Sequence, residues 1–436
     1  MQNGDDRSSR KVRRYPGVRS FEDEPSERRL FQGRDAETYD LLQLVRAERL
    51  VILFARSGIG KSSIINAGLM EPLREQGFFP IVTRVCTVKD DPLASFYQGV
   101  QAACARAKAQ GEIAQCEPDD PSDWNRTSLW HFFKSIFVWR GEAELLRPVV
   151  VIDQFEELFT LLSEAQRRPF IDQLADLVRG IRPEEPAEAR RSSASNLDDE
   201  PPEVRIVLAL REDFIANLEE LAERIPSVLK TRFRLGPLDV EQARRAIVEP
   251  ARLDDPALET PPFDWSDEAL RCVLDFLRTR KGKEGLPELG REVEPFQLQL
   301  VCQFAEQLAV AKGAETILEA DLGGETGLGR ILTRFYRDAI NELGRRFGGI
   351  GLKRRLRNLC EYGLITARGR RLLREESTLH HEFAVRPEIL AAMVEHRLLR
   401  KERRIGDNYY ELTHDTLIDP ILESRQHRES RRRRRP

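Results

Sequence analysis

A lysine and neighbouring serines that could bind phosphate follow a glycine-rich turn near the start of the chain. Residues 55–62, Ala-Arg-Ser-Gly-Ile-Gly-Lys-Ser, have the spacing of a phosphate-binding loop, with alanine where the first glycine commonly stands. The glycines let backbone N–H groups turn toward phosphate oxygens, Lys61 can reach the β and γ phosphates, and Ser62 offers a hydroxyl to Mg²⁺. A turn without ligand is the alternative. The candidate nucleotide-contacting residues of this loop are Ser57, Gly58, Ile59, Gly60, Lys61, Ser62 and Ser63.

A second group of candidate residues lies in an acidic turn. The apolar run 148–152 predicts a buried strand, and Asp153 follows it directly. At the carboxyl edge of a parallel sheet an aspartate can hold Mg²⁺, and Glu156 or Glu157 could then activate the attacking water. Acids are also common in the first turn of a helix, which explains the glutamates but not Asp153. We therefore expect a catalytic turn, with the choice of glutamate open.

Two arginines complete the candidate residues found in these runs. Arg211 ends the apolar run 204–210, where its guanidinium could contact a γ-phosphate, although a surface arginine would give the same pattern. Arg34 stands in Gln-Gly-Arg-Asp, residues 32–35, an element that in many phosphate-loop switches packs near the adenine. Taken alone, that element could equally be a turn.

Strands and helices must alternate to position these residues. The apolar residues 50–54 fit a strand buried on both faces, after a helix expected over 36–46. A strand over 79–85 and a helix over 91–108 follow, and 124–140 has helical spacing that we interpret as core packing. Alternation of this kind predicts an α/β fold with a parallel sheet between helices.

The composition changes along the chain and suggests several parts. Residues 181–203 are rich in Pro, Glu, Ser and Arg, which predicts a disordered insertion, and beyond residue 239 helical patterns replace strands. The expected order is a disordered basic N-terminus 1–14, a phosphate-loop NTPase core 15–239, an α-helical lid domain 240–347, a winged-helix-like domain 348–424 and an Arg-rich tail 425–436.

The overall composition excludes several classes of protein. The net charge is −3, and 40% of the residues are apolar, with no run approaching the eighteen that a membrane helix needs. The six cysteines form no CxxC pair or Cys/His cluster, which argues against a disulfide framework or a zinc site. The start of the chain lacks an apolar signal core, so we expect a soluble cytoplasmic protein without membrane partners.

Several separated motifs together resemble the STAND class of signalling NTPases, and most closely the bacterial novel-STAND group of conflict and defence systems. The motifs are PGVRSFEDE with FQGRD, LFARSGIGKSSIINAGL, VVVIDQFEELF, VLALREDFIANL, FRLGPLDVEQARRAI, VEPFQLQLVCQFAEQL and YYELTHDTLIDPI. The resemblance covers about residues 15–425.

The resemblance implies roles for particular residues. Lys61 and Ser62 match the phosphate and Mg²⁺ positions, Asp153 the metal-holding acid, Glu156 or Glu157 the water-activating position, and Arg211 the sensor arginine. Pro295 falls where the helical domain of such proteins approaches the adenine, and His414 resembles the winged-helix histidine that holds the β-phosphate at rest.

The resemblance also implies a switch that rests closed around ADP, exchanges it for ATP on a trigger and then forms a homo-oligomer, with slow hydrolysis as the reset. The phosphate loop departs from the family pattern at Ala55, and no sensor repeat or effector module is recognised, so a separate sensor or effector protein is expected. Two other functions stay open. One is a DNA-handling AAA+-like ATPase that uses its winged helix and basic tail, and the other is a non-hydrolysing nucleotide-bound scaffold.

Overall fold

The computed structural model describes residues 11–88, 91–117, 128–184, 198–281, 287–366, 369–396, 398–404, 407–413 and 417–433. The chain divides into two compact units. The first, the helical unit, comprises residues 1–35, 57–67 and 237–436, and the second, the sheet unit, comprises residues 36–56 and 68–236. Residues 57–67 of the phosphate-loop region group with the helical unit.

Strands and helices alternate through the first half of the chain, and helices predominate in the second half. The strands are β1 Leu50–Ala55, β2 Phe78–Thr83, β3 Gln115–Glu117, β4 Phe137–Arg140, β5 Glu144–Ile152, β6 Arg205–Arg211, β7 Arg232–Arg234, β8 Asp264–Trp265, β9 Thr279–Lys281, β10 Pro287–Leu289, β11 Thr316–Ile317, β12 Arg374–Glu375, β13 Leu399–Arg404 and β14 Asp407–Leu412. The helices are α1 Pro25–Leu30, α2 Asp35–Ala47, α3 Lys61–Ser63, α4 Met70–Glu75, α5 Pro92–Ala109, α6 Leu129–Ser135, α7 Glu157–Leu161, α8 Glu164–Arg179, α9 Glu219–Ala222, α10 Val240–Arg252, α11 Asp267–Arg278, α12 Pro295–Lys312, α13 Glu319–Leu322, α14 Gly324–Phe347, α15 Gly349–Asn358, α16 Glu376–Phe383, α17 Pro387–Glu395 and α18 Ile418–Arg433. Two π-helical stretches, Ile64–Leu69 and Leu359–Gly363, and a 3-10 helix, Glu212–Leu218, continue neighbouring helices or strands.

The sheet unit is built on a parallel sheet in the order β2-β5-β6-β1-β7. Strand β4 pairs antiparallel with the first residues of β5, and β3 pairs antiparallel with β4. Strand β6 separates β1 from β5. In the register, Ala55 pairs with Arg211 and Ile152 pairs with Leu208, so β1, β6 and β5 end at one edge of the sheet. Residues that follow these three strands therefore share that edge, where open α/β sheets bind ligands.

The central strands confirm the expectation of burial on both faces. Residues 50–53 and 149–152 are almost fully buried apolar side chains, as parallel strands covered by helices require. The interpretation of 124–140 as one helical segment was wrong in its second half. Helix α6 ends at Ser135, and β4 follows because its residues pair with β5 and β3. Residues 124–127 of that segment lie outside the described part of the chain.

Two large apolar clusters lie in the described part of the helical unit. One gathers side chains of α10, α11 and α12 with Tyr15, and the other gathers side chains of α14, α15, α17, β13 and β14. Helix α14 contributes to both clusters, through Leu328 and Leu332 respectively. A three-stranded antiparallel sheet, in the order β12-β14-β13, belongs to the second cluster's part of the chain. Among the described residues, no helix is both long enough and apolar enough to cross a bilayer.

The N-terminal segment that we expected to be disordered is ordered over its described residues, Lys11–Arg14. The Arg14 side chain is fully buried, and its guanidinium donates to the carbonyl oxygens of Pro250 at 2.8 Å and Thr260 at 2.7 Å. The Arg14 N–H donates to Glu306 Oε1 at 3.1 Å. These hydrogen bonds replace hydration of the charge, so a basic composition did not mean disorder in this segment.

The Arg-rich tail is helical as far as Arg433, within α18. Its Arg428 forms an ion pair with Glu361, whose side chain is completely buried, and the Arg425 guanidinium lies 4.3 Å from the centre of the Tyr362 ring. The tail is thus attached through charged and aromatic contacts that an apolar pattern does not reveal. The predicted insertion 181–203 lies mostly outside the described residues, since 185–197 are not described.

Candidate functional site

The phosphate loop follows the carboxyl end of β1 along the chain, as the sequence predicted. Gly58 and Gly60 have φ angles of 82° and 101°, in the left-handed region that favours glycine. A Cβ added at Gly60 would meet no atom within 4 Å, so the backbone angle and not crowding accounts for glycine there. Ile59, between them, is 2% exposed and anchors the loop by burial. The geometry is that of a tight turn with two glycines in the left-handed region.

The helical stretch after the loop starts at Lys61 and runs through α3, the π-helical residues and α4 to Glu75. Gly60, its N-cap residue, offers no side-chain oxygen to the first N–H groups. Lys61 and Ser62 are half-buried, and among the described residues of its own unit no carboxylate pairs with the Lys61 ammonium. The start of a helix after a glycine-rich turn, together with a lysine, favours a bound polyanion.

The buried Arg34 side chain binds the backbone of the phosphate loop. Its side chain is 4% exposed, and its Nη2 donates to the Ile59 carbonyl at 3.2 Å. The preceding Gly33 has a φ of 82°, and a Cβ there would lie 2.2 Å from the Gln242 carbonyl oxygen of α10. The pair Gly33-Arg34 therefore allows a close approach to α10 and fixes a loop carbonyl, a contact that the sequence did not reveal.

Ser63, grouped with the candidate phosphate ligands, binds protein backbone instead. Its side chain is 7% exposed, and its Oγ accepts the N–H of Phe21 at 3.2 Å. Asn66 Nδ2 donates to the Phe21 carbonyl at 3.1 Å, so the phosphate helix holds both backbone groups of Phe21. Ser62 is therefore the better candidate for a metal-binding hydroxyl. Phe21 lies in the PGVRSFEDE motif, which the sequence singled out. The motif did not indicate that its partner would be Ser63.

Asp153 follows β5 in a turn that is tied to both neighbouring strands. It is 6% exposed, its N–H donates to the Thr83 carbonyl of β2 at 2.9 Å, and its Oδ1 accepts the N–H of Gln154. Gln154 has a φ of 58°, a rare angle for a residue with a side chain. The N–H of Phe155 donates to the Ala209 carbonyl of β6 at 2.9 Å. These bonds hold the Asp153 carboxylate in one position at the sheet edge.

The structure separates the two glutamates that the sequence left as alternatives. Glu156 is 9% exposed, and its Oε2 accepts the backbone N–H of Arg211 at 3.3 Å, so it links the turn to β6. Glu157 is the first residue of α7. Burial raises the pKa of the Glu157 carboxyl to about 7, with further increases from Glu156 and Asp153 and a decrease from Arg84. A carboxylate that titrates near neutral pH is suited to accept a proton from water.

Arg211 ends β6 at the same edge, between the ends of β1 and β5. Its guanidinium forms an ion pair with Asp213 and lies 5.1 Å from the centre of the Phe214 ring. The side chain is 12% exposed. A role as sensor of a γ-phosphate would therefore require exchange of the Asp213 carboxylate for phosphate.

Two further candidate residues lie in the helical unit or outside the described chain. Pro295 is the first residue of α12, and the buried Glu294 is its N-cap. His414 lies outside the described residues, together with 415 and 416. Directly before it, Arg371 Nη1 donates to the carbonyl oxygens of Leu412 at 3.1 Å and Thr413 at 3.5 Å.

Similarities to known proteins are found for a family profile and for solved structures. The sequence profile of the family described as Novel STAND NTPase 1 matches residues 15–289. No curated protein matches the chain. Similar solved structures include the Walker-type ATPase PABY2304 of Pyrococcus abyssi, at 13% identity, 93% coverage of this chain, 99% of that chain and a TM-score of 0.44. They also include the ORC2 protein of Aeropyrum pernix in ADPNP–ADP complexes, at 12% identity, 90% and 95% coverage and a TM-score of 0.43.

The match to the family profile spans more than half of the chain. It includes the phosphate loop, the acidic turn after β5 and Arg211. The chain therefore belongs to the Novel STAND NTPase 1 family.

Proposed function

We propose that this chain is a signalling switch that binds ATP or ADP and hydrolyses ATP slowly to ADP and phosphate. The observation that carries the proposal is the acidic turn: a fixed, buried Asp153 is followed by Glu157, whose pKa of about 7 suits a general base. A scaffold that only held a nucleotide would not need such a pair of carboxylates. The family resemblance further suggests bacterial conflict or antiviral defence as the setting.

In this proposal Lys61 and the N–H groups of the loop bind the β and γ phosphates, and Arg34 keeps the loop backbone in place. The Ser62 hydroxyl and the Asp153 carboxylate are oxygen donors of the kind that Mg²⁺ prefers. Ser62 is half-buried and Asp153 is held in its turn by backbone hydrogen bonds, which fits residues that would hold the ion. When bound, Mg²⁺ would neutralise phosphate charge.

The chemical step assigned to Glu157 is proton removal from water. The water oxygen forms a bond to the γ-phosphorus, the bond between that phosphorus and the bridging β–γ oxygen breaks, and the water proton passes to the Glu157 carboxylate. Glu156 contributes indirectly, since its bond to the Arg211 N–H keeps the turn against β6.

The helical unit supplies the proposed switch. We assign α10–α13 to a helical lid domain, and α14–α18 with the β12-β14-β13 sheet to a winged-helix-like domain, because helices followed by an antiparallel hairpin are arranged in that order there. His414 would hold the β-phosphate at rest, next to the carbonyl groups that Arg371 binds. ADP would favour the closed state, and ATP would favour a homo-oligomer.

Mass measurements in ADP and in a non-hydrolysable ATP analogue test the switch. We expect a monomer with ADP and a larger assembly with the analogue, and the variant Lys61→Ala should stay monomeric in both because the phosphates lose their cationic partner. Equilibrium binding of labelled ATP to the same variant separates loss of affinity from loss of assembly. Equal masses of the wild-type chain in both nucleotides, with saturating binding, would contradict the switch.

The proposed role of His414 has its own test. Loss of one charge-assisted hydrogen bond of roughly 1.5 to 3 kcal/mol would shift the closed-to-open ratio about ten to a hundred and fifty fold. His414→Ala should therefore release ADP faster than the wild-type chain does. If release is unchanged and only the melting temperature falls, the histidine is structural.

A further inference from the structure

The corner between α14 and α15 is a strongly basic surface segment of the helical unit that the nucleotide proposal does not use. Residues 344–357, Gly-Arg-Arg-Phe-Gly-Gly-Ile-Gly-Leu-Lys-Arg-Arg-Leu-Arg, hold six basic residues and no acidic one. Of these, Arg345, Arg346, Arg354 and Arg355 are exposed. We call residues 344–357 the basic corner.

Close packing brings the two halves of the basic corner together. A Cβ added at Gly344 of α14 would lie 2.2 Å from Cγ and 2.6 Å from Cε of Lys353 on α15, so the lysine stem crosses α14 at this glycine. The four exposed arginines are each within two residues of Gly344 or Lys353 along the chain. They therefore lie on the turns of the two helices that flank this contact.

The charges of the basic corner are largely uncompensated. Arg346 forms an ion pair with Glu395 of α17 at 3.5 Å, and the nearby Glu342 faces His396 at 3.9 Å. Within the described chain, Arg345, Lys353, Arg354 and Arg355 have no carboxylate partner. Helix α15 also begins at this corner, and its N-cap Gly348 provides no side-chain oxygen. Free guanidinium groups beside a helix N-terminus attract closely spaced phosphates.

We propose that the basic corner binds the phosphate backbone of double-stranded DNA. A single-stranded partner would need aromatic rings for its bases, but the corner's one aromatic residue, Phe347, is half-buried with the Arg346 guanidinium 4.9 Å from its ring centre. An anionic membrane would need an apolar face, and only Ile350 is available, at 86% exposure, because Leu352 and Leu356 are buried in the protein core. A duplex requires neither, since its backbone offers charge alone.

The sequence suggested DNA contacts through the winged-helix-like domain, which includes most of the corner, and through the tail. Among the described residues of these parts, the corner differs in that most of its basic residues have no carboxylate partner. In α18, Arg428 pairs with Glu361 and Arg425 pairs with Glu429, so these tail arginines already have partners. On the wing, Arg400 pairs with Glu411.

Fluorescence anisotropy with a labelled random-sequence duplex over a series of salt concentrations tests the proposal, with no nucleotide present. The test variant is Arg345→Gln with Arg354→Gln and Arg355→Gln. The matched control carries Arg271→Gln, Arg291→Gln and Arg330→Gln, three exposed arginines of the same unit outside the corner. We expect the test variant to bind at least about tenfold more weakly at low salt, with a log–log salt slope smaller by about 2 to 3, and the control to bind like the wild-type chain.

Three results would overturn the proposal. One is equal weakening in the two variants, which would mean that only net charge matters. Another is no binding of the duplex by the wild-type chain at low salt. The third is a preference for single strands, or for vesicles containing phosphatidylserine over the duplex. The variant Ile350→Ser helps to separate binding to vesicles from binding to the duplex. Loss of this exposed apolar side chain should weaken binding to vesicles and leave binding to the duplex unchanged. Labelled-ATP binding and melting temperature of all variants show that nucleotide site and fold persist.

Discussion

At the residue scale, the two adjacent glutamates of the acidic turn have different surroundings. Glu156 accepts a backbone N–H from Arg211, whereas Glu157 is the carboxyl whose pKa burial raises to about 7. The sequence offered both as equivalent, because spacing along the chain does not reveal which oxygen meets a backbone donor. The difference arises from β6, which reaches the turn from a distant part of the chain.

The first prediction concerns the pH dependence of turnover. If the Glu157 carboxylate accepts the proton, kcat/KM for ATP should fall as the pH drops through about 7, because the acid form cannot serve as a base. Glu157→Gln should slow turnover by about 10² or more with ATP affinity retained. Glu156→Gln should keep the fall in rate at low pH but move its midpoint to lower pH, because the Glu156 charge contributes to the raised pKa of Glu157.

Steady-state rates between pH 6 and pH 8.5 measure the pH dependence of each variant. The nucleotide phosphate also ionises, with a pKa near 6, but this affects every variant alike and cancels when their profiles are compared. A wild-type profile that parallels the Glu157→Gln profile would contradict the assignment of Glu157.

The second prediction links the same carboxyl to stability. The folded chain holds the Glu157 proton up to about pH 7, whereas the unfolded chain loses it near 4.5, so its contribution to stability falls as the pH rises between these values. Above pH 7 the buried charge destabilises the fold, and Glu157→Gln should then increase the free energy of unfolding by about 1 to 3 kcal/mol. At pH 5 the variant and the wild type should be alike. Urea unfolding without nucleotide or Mg²⁺ at the two pH values shows whether the difference appears.

At the element scale, helix α5 packs very closely on strand β2 at Gly99. The last residue of β2 accepts a hydrogen bond from Asp153, so we expect this packing to affect the position of Asp153. A Cβ at Gly99 would lie 1.8 Å from Thr83 Oγ1 and 2.6 Å from Thr83 Cβ. Thr83 is the last residue of β2, and its carbonyl accepts the Asp153 N–H. The packing of α5 is therefore transmitted to the acidic turn through a single residue.

The third prediction uses this contact. Alanine in a helix interior is favoured over glycine by about 1 kcal/mol, but Gly99→Ala should destabilise the chain by about 1 to 3 kcal/mol because β2 must shift. The displaced Asp153 should also raise the Mg²⁺ concentration needed for half-maximal turnover. The matched control is Gly329→Ala in α14, whose added Cβ would meet only Phe276, at 4.0 Å. A Gly99→Ala variant as stable as the control would mean that Thr83 moves freely.

The strands at the centre of the sheet were predictable because continuous apolar runs have few alternatives. Leu50–Ala55 and Arg205–Arg211 were found within a residue or two of their ends. The stretch Phe137–Arg140 was not, because its aromatic spacing continues that of α6 and only pairing with β5 makes it a strand. Likewise, residue type and order predicted Lys61 and Asp153, but the contacts of Arg34 and Ser63 join segments far apart in sequence.

At the scale of the whole molecule, ion pairing attaches the C-terminal tail to the rest of the helical unit, which its composition did not indicate. The Arg-rich tail has the composition of a solvated segment, but α18 places Arg428 against a carboxylate with no exposed surface. Burial raises the pKa of the Glu361 carboxyl, while Arg428, Arg425 and Arg357 lower it. Two of these three cations belong to the tail.

The last prediction concerns a chain that ends at Ser424. Removal of Arg425–Pro436 should leave nucleotide affinity unchanged well below the melting temperature, since no contact of the described tail involves the phosphate loop or the acidic turn. It should nevertheless destabilise the fold by about 3 to 5 kcal/mol near neutral pH, because the Glu361 charge stays buried without Arg428.

With both cations gone, the folded-state pKa of Glu361 rises further above its unfolded value, so the loss of stability should be smaller at pH 5 and grow as the pH increases. Glu361→Gln in the shortened chain removes the buried charge and should restore most of the stability together with its pH independence. Thermal melting at pH 5 and pH 8 decides between the two views of the tail: a shortened chain that melts like the full chain at pH 8 would show that Arg428 adds nothing to the fold.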